Sequence, residues 1–564
     1  MSRPRPAVAR AALPIVLVMG LLAGCQAEEA VRPAYLTDVA SEVGLDFEHS
    51  AFQWDVSADL PSMMGGGLCW IDYDDDGWLD LFLTNTWTGV EWGRWYASDG
   101  IPTSALYRND RGEFESVAVE AGVATELRGN GCVAADFDLD GHSDLYVTSD
   151  RENALFWNNG DGTFTEGATE AGVDDNGWHT GALVGDFNGD RWPDMFVAGY
   201  ADINSRIPGA TGGFPNTFFP VRDLFYLNEG PGPDGRVTFL EVGEAVGLDV
   251  FSGLDDYEYG LGGAVADFDG DGDLDLYVAN DTNPNRLYEN VSVPGGVASD
   301  PLGIGFRFEH VLESGADDDN SGMGVAAGDY TGDGRADLFV TNLGSQLHSV
   351  YVNRTASTLV FEDGTASLGS PDLGRDFTGW GATWADIDLD TDLDLVVANG
   401  RIPLLDRTAD AEPMQVLANQ VAQSGLAEFL DVSTELGLPE LGPLLARGSA
   451  VADYDNDGDL DVAVNSIGSP VRLLRNDVAG RWLIVDLEGF HPGATVTAVL
   501  TDGTEVVRTV AAGSSYLSSE DPRAHFGLGD AEGVTQLKVR WPDGTETVAE
   551  GIGRNRIVTI DPPA

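Results

Sequence analysis

Basic residues are scarce in this 564-residue chain. Lys and Arg total 30 against 94 Asp and Glu, a formal charge of −64, and Lys538 is the sole lysine. Such acidity excludes electrostatic capture of nucleic acid or anionic lipid, which needs basic patches. Cysteine is scarcer still: Cys25, Cys69 and Cys132 cannot build a disulfide framework, and none sits in a C-x-x-C pair. The seven histidines show no helical zinc spacing. No G-x-S-x-G elbow, Walker loop or G-x-G-x-x-G in a βαβ unit is present. Beyond the first 22 residues no apolar run is long enough to span a bilayer. What the chain does have is glycine, 72 residues, about twice the usual share, and 43% hydrophobic residues, enough for large cores. Together these point to a turn-rich β protein.

Residues 1–24 read as an export signal. Arg3, Arg5 and Arg10 precede an apolar segment, Ala11 to Leu22, of signal-peptide length. Leu22-Ala23-Gly24-Cys25 resembles the lipobox of bacterial lipoproteins, which implies acylation of Cys25. Gln26, in place of Asp, resembles outer-membrane sorting. The expectation is an exported, lipid-anchored protein at a bacterial outer membrane or cell surface, with residues 25–34 as a short tether.

A repeat governs residues 35–479. D-x-D-x-D-G-x-x-D, or a near variant, begins at Asp72, Asp136, Asp186, Asp267, Asp329, Asp386 and Asp453. A glycine precedes each first Asp by five positions, from Gly67 to Gly448, and short β-rich apolar runs flank each loop. A second signature follows, as in Leu106-Tyr107-Arg108-Asn109 or Leu155-Phe156-Trp157-Asn158. Each unit therefore reads as a four-stranded antiparallel blade, and seven blades predict an all-β, seven-bladed β-propeller. The seventh unit lacks its last strand, and Tyr35 to Leu45 matches a closing segment, so the N-terminal segment is expected to complete it. Residues 480–564 read as a small separate β domain, with strands near Trp482–Leu487, Thr495–Leu500, Val506–Val510, Gln536–Trp541 and Arg556–Ile560. Cys69 and Cys132 fall on inner strands of neighbouring blades with registers one residue apart, hence on opposite faces. Two buried free thiols are expected.

The acidic loops predict calcium, up to seven structural ions. A hard divalent cation needs six or more oxygens, and positions 1, 3, 5 and 9 supply carboxylates around a turn that glycine permits at position 6. The ligand sets are Asp72, Asp74, Asp76 and Asp80; Asp136, Asp138, Asp140 and Asp144; Asp186, Asn188, Asp190 and Asp194; Asp267, Asp269, Asp271 and Asp275; Asp329, Thr331, Asp333 and Asp337; Asp386, Asp388, Asp390 and Asp394; Asp453, Asp455, Asp457 and Asp461. The loops at Asp72, Asp136, Asp267 and Asp453 should bind tightest. Thr331 removes a carboxylate from one loop, and Thr391 replaces the turn glycine in another. The Asp186 loop carries both defects, Asn188 and Arg191, and should bind weakest, with Arg191 partly neutralising its own site.

These loops resemble FG-GAP (VCBS-type) repeats, the calcium-binding blades also found in integrin α chains. Ser515-Tyr516-Leu517-Ser518, His525-Phe526-Gly527-Leu528-Gly529 and Val539-Arg540-Trp541-Pro542-Asp543-Gly544 resemble an ASPIC/UnbV domain. The combination is similar to the cartilage acidic protein family and implies calcium-dependent adhesion or scaffolding, non-catalytic, toward a protein or glycan partner. Two insertions could carry specificity: Trp87, Trp92, Trp95 and Tyr96 after the second strand of unit one, and Phe214, Phe218, Phe219 and Arg222 after that of unit three. Exposed aromatics there would stack on sugars or anchor a protein; alternatively they pack down as lids. A second class, a carbohydrate-active enzyme, would need a carboxyl pair outside the metal loops.

Overall fold

The computed structural model describes Met1 and residues 36–98, 100–248, 258–367 and 373–563. The signal segment, Cys25, the tether and Tyr35 lie outside the described residues. The described part is all-β and propeller-like. Each acidic loop joins two antiparallel strands, and the position-9 aspartate opens the second of them. The inner strands are Leu68–Ile71, Gly129–Ala135, His179–Gly185, Gly260–Ala266, Gly322–Gly328, Gly379–Ala385 and Ala446–Ala452. Among the described residues each belongs to a four-stranded antiparallel sheet, numbered here 1 to 7 in chain order. Sheet 7 takes its outer strand from the other end of the array: Thr37–Asp38 pairs with Arg475–Leu474, as the missing strand of the seventh unit requires.

Seven apolar clusters lie between these sheets, each shared by two neighbours. Leu68, Trp70 and Leu81 of sheet 1 pack with Ala450, Ala452 and Ala463 of sheet 7. Cys69, Ile71 and Phe82 on the other face of sheet 1 pack with Cys132, Leu145 and Val147 of sheet 2. The alternation repeats through the other sheets. Every sheet is therefore apolar on both faces, which is why the inner strands read as unbroken apolar runs.

This stacking corrects the cysteine expectation. Cys69 and Cys132 form a disulfide, with Cα atoms 6.1 Å apart. They do lie on opposite faces of equivalent strands. In sheets stacked face to face, however, the right face of one meets the left face of the next, so opposite registers bring the sulfurs together.

The glycines five positions before each loop have a steric reason. A Cβ at Gly67 would lie 2.1 Å from the Leu517 carbonyl oxygen, at Gly262 2.3 Å from that of Met323, and at Gly324 2.0 Å from that of Trp380. The inner strands approach one another too closely there for any side chain.

The C-terminal region forms a three-stranded and a four-stranded sheet around a core of Leu483, Val485, Val496, Phe526, Leu537 and Trp541. The expected strands are present within one or two residues, and Ala524–Gly527 and Glu546–Ile552 are added. It is not separate. Residues 512–519 run among the inner strands of the repeat array. The Val184 N–H donates to the Ala512 carbonyl (3.0 Å), Val325 and Ser515 exchange two backbone bonds (2.9 Å each), the Cys132 N–H donates to Leu517 (3.2 Å) and the Trp70 N–H to Ser519 (3.1 Å). Tyr516 is fully buried, its ring 4.8 Å from that of Trp380 and its hydroxyl donating to the Met64 carbonyl at 2.9 Å. The segment is a plug, bonded to five of the seven sheets counting the Ala382 N–H to Ser515 Oγ contact.

Candidate metal centres and the opposite face

The acidic loops share one backbone conformation. Position 6 has positive φ throughout: Gly77 (83°), Gly141 (95°), Gly272 (106°), Gly334 (86°) and Gly458 (102°), but also Arg191 (80°) and Thr391 (93°). Position 4 is left-handed as well, from Asp75 (57°) to Asn456 (54°). The double left-handed turn curls the loop, so that the position-1 carboxylate accepts the N–H groups of positions 5 and 6, or of positions 4 and 6 in the Asp267 loop. In the first loop Asp76 donates to Asp72 Oδ1 at 3.1 Å and Gly77 to Oδ2 at 2.9 Å.

The position-9 aspartates are buried and fixed from two sides. One oxygen takes a position-2 N–H, as in Tyr73 to Asp80 (3.0 Å) and Phe137 to Asp144 (3.0 Å), except at Asp337, which takes the position-3 Thr331 N–H (3.2 Å). The other takes the N–H of an asparagine on the third strand: Asn109 to Asp80 (2.7 Å), Asn158 to Asp144 (2.8 Å), Asn228 to Asp194 (2.9 Å), Asn290 to Asp275 (2.9 Å), Asn353 to Asp337 (2.8 Å), Asn419 to Asp394 (2.8 Å) and Asn476 to Asp461 (2.8 Å). Each of these amides then crosses to the preceding sheet and donates to the position-2 carbonyl of its acidic loop. Asn158 reaches Tyr73, Asn228 reaches Phe137, Asn290 reaches Phe187, Asn353 reaches Phe268, Asn419 reaches Tyr330 and Asn476 reaches Ile387; Asn109 reaches Tyr454 of sheet 7. Seven asparagines thus tie every loop to the next, first to last included. Two of them, Asn109 and Asn158, close the second signature of their units, which by itself does not reveal this role. The recurring apolar-x-x-Asn of the third strand was the available signal.

Three carboxylate oxygens converge within 4.8 Å in five loops: Asp72, Asp74 and Asp76; Asp136, Asp138 and Asp144; Asp267, Asp269 and Asp271; Asp386, Asp388 and Asp394; Asp453, Asp455 and Asp461. The residues fit a cation on two counts. Asp74 Oδ1, Asp388 Oδ1 and Asp455 Oδ1 are buried without a hydrogen-bond partner, which costs free energy unless something positive completes them. Burial, with added repulsion from neighbouring carboxylates, also raises the position-9 carboxyls, to about 9 at Asp80 and about 8 at Asp275, against the lowering effect of their backbone bonds. Carboxyl oxygens held this way in a curled loop match the donor set that a hard divalent cation takes.

The remaining two loops lack a position-3 carboxylate. In one, Asn188 Nδ2 donates to Asp190 Oδ2 at 2.9 Å. In the other, Thr331 Oγ1 donates to Asp337 (3.0 Å) and Arg335 pairs with Asp333. Thr391 does not prevent convergence in the Asp386 loop. Arg191 points away from its own loop, toward Asp543 at 3.4 Å.

The C-terminal domain covers this face with arginines. Arg540 donates to Asp267 Oδ2 at 3.0 Å, Arg523 to the Asp453 carbonyl at 3.0 Å, and Arg508 lies 4.0 Å from Asp386 Oδ2, which also accepts the Gly527 N–H (3.0 Å).

Both aromatic insertions leave the other face. In the first, Trp87 and Trp95 are buried with Ile101, while Trp92 and Tyr96 are exposed with rings 4.8 Å apart. In the second, Phe214 and Phe218 join a central cluster with Trp178 and Tyr200. Phe219 is exposed, and Arg222, also exposed, pairs with Glu241 at 3.1 Å. Half of each set packs down and half faces solvent.

Among the described residues no helix is long and apolar enough to cross a membrane. The sequence model of the ASPIC and UnbV family matches residues 488–564, and that of the FG-GAP-like repeat matches residues 72–147, 136–197 and 267–340. Cartilage acidic protein 1 of Xenopus tropicalis is 28% identical over 355 residues, covering 58% of this chain and 50% of that protein. The Homo sapiens protein is 27% identical over 314 residues, covering 53% and 44%. The chain spans about half the length of these relatives. Similar solved structures include an Agrocybe aegerita lectin recognising non-reducing terminal N-acetylglucosamine (15% identity, TM-score 0.38, covering 72% of this chain and 86% of the lectin). Another is a Bacillus licheniformis rhamnogalacturonan lyase (13% identity, TM-score 0.35, 77% and 75%). The chain carries FG-GAP-like repeats and a C-terminal ASPIC/UnbV domain, and it is homologous to cartilage acidic protein 1.

Proposed function

We propose that this chain is an exported, calcium-stabilised, non-catalytic binding or scaffold protein on a seven-bladed β-propeller. On this reading the lipid anchor is at Cys25, calcium holds the acidic-loop face, and the opposite face meets a protein or glycan partner at a bacterial outer membrane or cell surface. The observation that carries it is the set of converging carboxylates with unpartnered buried oxygens, repeated in register around the sheets. A carboxylate cluster placed under a covering domain, linked to its neighbours through backbone bonds, suits a structural ion better than one that must admit substrate.

Two measurements test the reading. Elemental analysis of the purified protein should find several calcium ions per chain, removable by chelator; a chain that retains its fold with no bound metal at millimolar calcium refutes the metal role. Cys25→Ser should abolish acylation and shift the protein out of the detergent phase. A variant that still partitions with the wild type refutes the anchor.

A further inference from the structure

The two insertions flank a gap. They leave sheets 1 and 3 at residues 84–104 and 200–223, on the face away from the acidic loops. Sheet 2, between them, crosses the same face in the short turn from Ser149 to Ala154. The result is a cleft of about 610 Å³ floored by Arg128, Asp150 and Trp178 and walled on one side by Asp202 and Asn204 of the second insertion. That volume falls in the usual range of small-molecule sites, roughly 300–1,000 Å³.

The floor is rigid and incompletely bonded. Arg128, its side chain 9% exposed, pairs with Asp150 at 3.0 Å and Asp59 at 2.8 Å, donates to Ser62 Oγ at 3.1 Å, and stands 5.4 Å over the ring of Trp87 from the first insertion. The Asp150 side chain is 6% exposed. Trp178 is 3% exposed and held edge-on against Tyr200 at 4.9 Å. Yet Arg128 Nε, Asp150 Oδ1 and Trp178 Nε1 are all buried without a partner. Two unmet donors and one unmet acceptor in the floor of one cleft are costly unless a ligand completes them.

We propose that this cleft binds a neutral oligosaccharide. Sugar hydroxyls both donate and accept, so this ligand class matches an unmet complement of two donors and one acceptor. A lone cation cannot answer two donors. An anion finds Arg151 on the lining but also meets Asp150 and Asp202 at close range and, at long range, a chain of charge −64. The proposal rests on the binding-protein reading above and names its ligand class. Exposed Trp92 and Tyr96 lie on the same face, where a longer chain emerging from the cleft can stack.

The test uses the calcium-loaded full chain and an array of neutral oligosaccharides of two to six units (gluco, manno, galacto and xylo series) beside acidic ones, followed by calorimetry on the best neutral binder. At least one neutral series should bind. Trp178→Phe, which keeps an aromatic ring beside Tyr200 but loses the N–H and part of the ring system, should weaken it about tenfold, the worth of one hydrogen bond in such a site, in a variant first shown by thermal melting to remain folded. Asn204→Ala, at the exposed rim where folding is not at stake, should weaken it severalfold. No neutral binder, binding confined to acidic glycans, or affinity unchanged in both variants overturns the proposal. Cleavage of the glycan, read by mass spectrometry, would support the ligand class while refuting the non-catalytic reading.

Discussion

The two faces of the repeat array are built on opposite principles. On the acidic-loop face the same curl and the same asparagine bridge recur in every sheet, and among positions 1, 3, 5, 6 and 9 variation is confined to 3 and 6. On the opposite face the connections vary widely, from the short turn after Ser149 to the insertion at residues 200–223. The regular face is covered by the C-terminal domain and its arginines, while the irregular face carries exposed aromatics and the cleft. On the proposed reading repetition serves construction and irregularity serves recognition, so damage to the first face should unfold the protein and damage to the second should leave it standing.

Metal removal should show the largest effect. A site at 100 times its dissociation constant adds about 2.7 kcal/mol, so several sites together exceed the typical stability of a domain. Chelation should lower the melting temperature steeply, and differential scanning calorimetry would read it. The metal-free protein should then respond to pH in a definite direction. Burial raises the folded-state carboxyls of Asp72 and Asp136 to about 6, Asp453 to about 7, Asp275 to about 8 and Asp80 to about 9. The folded state therefore binds more protons than the unfolded one, and stability must fall as pH rises from the ordinary carboxylate range toward those values. In chelator the melting temperature should be higher at pH 5 than at pH 8. The opposite slope would mean that these carboxylates are not buried without a counter-ion.

The plug comes next. Tyr516→Ala removes a fully buried ring and its bond to Met64, a change that costs about 3–5 kcal/mol in other cores. A melting temperature within a degree or two of wild type would show that the segment merely rests among the inner strands.

Asn476→Ala should follow, leaving the Ile387 carbonyl without its donor at about 1–3 kcal/mol. Its distinguishing readout is calcium binding. The loops of sheets 6 and 7 share this bridge, so the variant should weaken binding at both. An effect confined to one loop would reduce the bridge to local packing.

Within the acidic face, Asp271→Ala should cost more stability in calcium than Asp190→Ala, since the first loop gathers three carboxylates and the second has an amide on its aspartate. Equal losses would erase the ranking of loops. Arg540 on Asp267 already tempers it.

Trp92→Ala, on the irregular face, should change stability by less than about 0.5 kcal/mol in a thermal melt. A larger loss would blur the distinction between the faces.

Much of the regular face was legible in the sequence because its determinants are local: a nine-residue loop, a turn requiring positive φ, apolar runs on either side. The borrowed strand Thr37–Asp38 was legible for a related reason, a segment present at one end and missing at the other. What escaped depends on which sheet stands beside which. The disulfide was misjudged because face-to-face stacking inverts the meaning of opposite registers. The asparagine pattern was visible, but the carbonyl it serves belongs to a neighbouring sheet. Ser514-Ser515-Tyr516-Leu517-Ser518 has no strand period, and nothing in it announces the inner strands it fills. Exposure of the aromatics was left open by the sequence, and the structure divides them residue by residue.

The plug also imposes an order on assembly. The Leu68 N–H pairs with Ser518 Oγ across 450 positions of chain, so the first sheet synthesised reaches its final bonding only after nearly everything else exists. Contacts this distant close slowly, since a long loop must be ordered before they return anything. Until that moment the array is a set of half-bonded edges, open to mispairing with other chains. Maturation of the whole is thus timed by its last-made region, which acts as a latch driven home at the end rather than as a passenger.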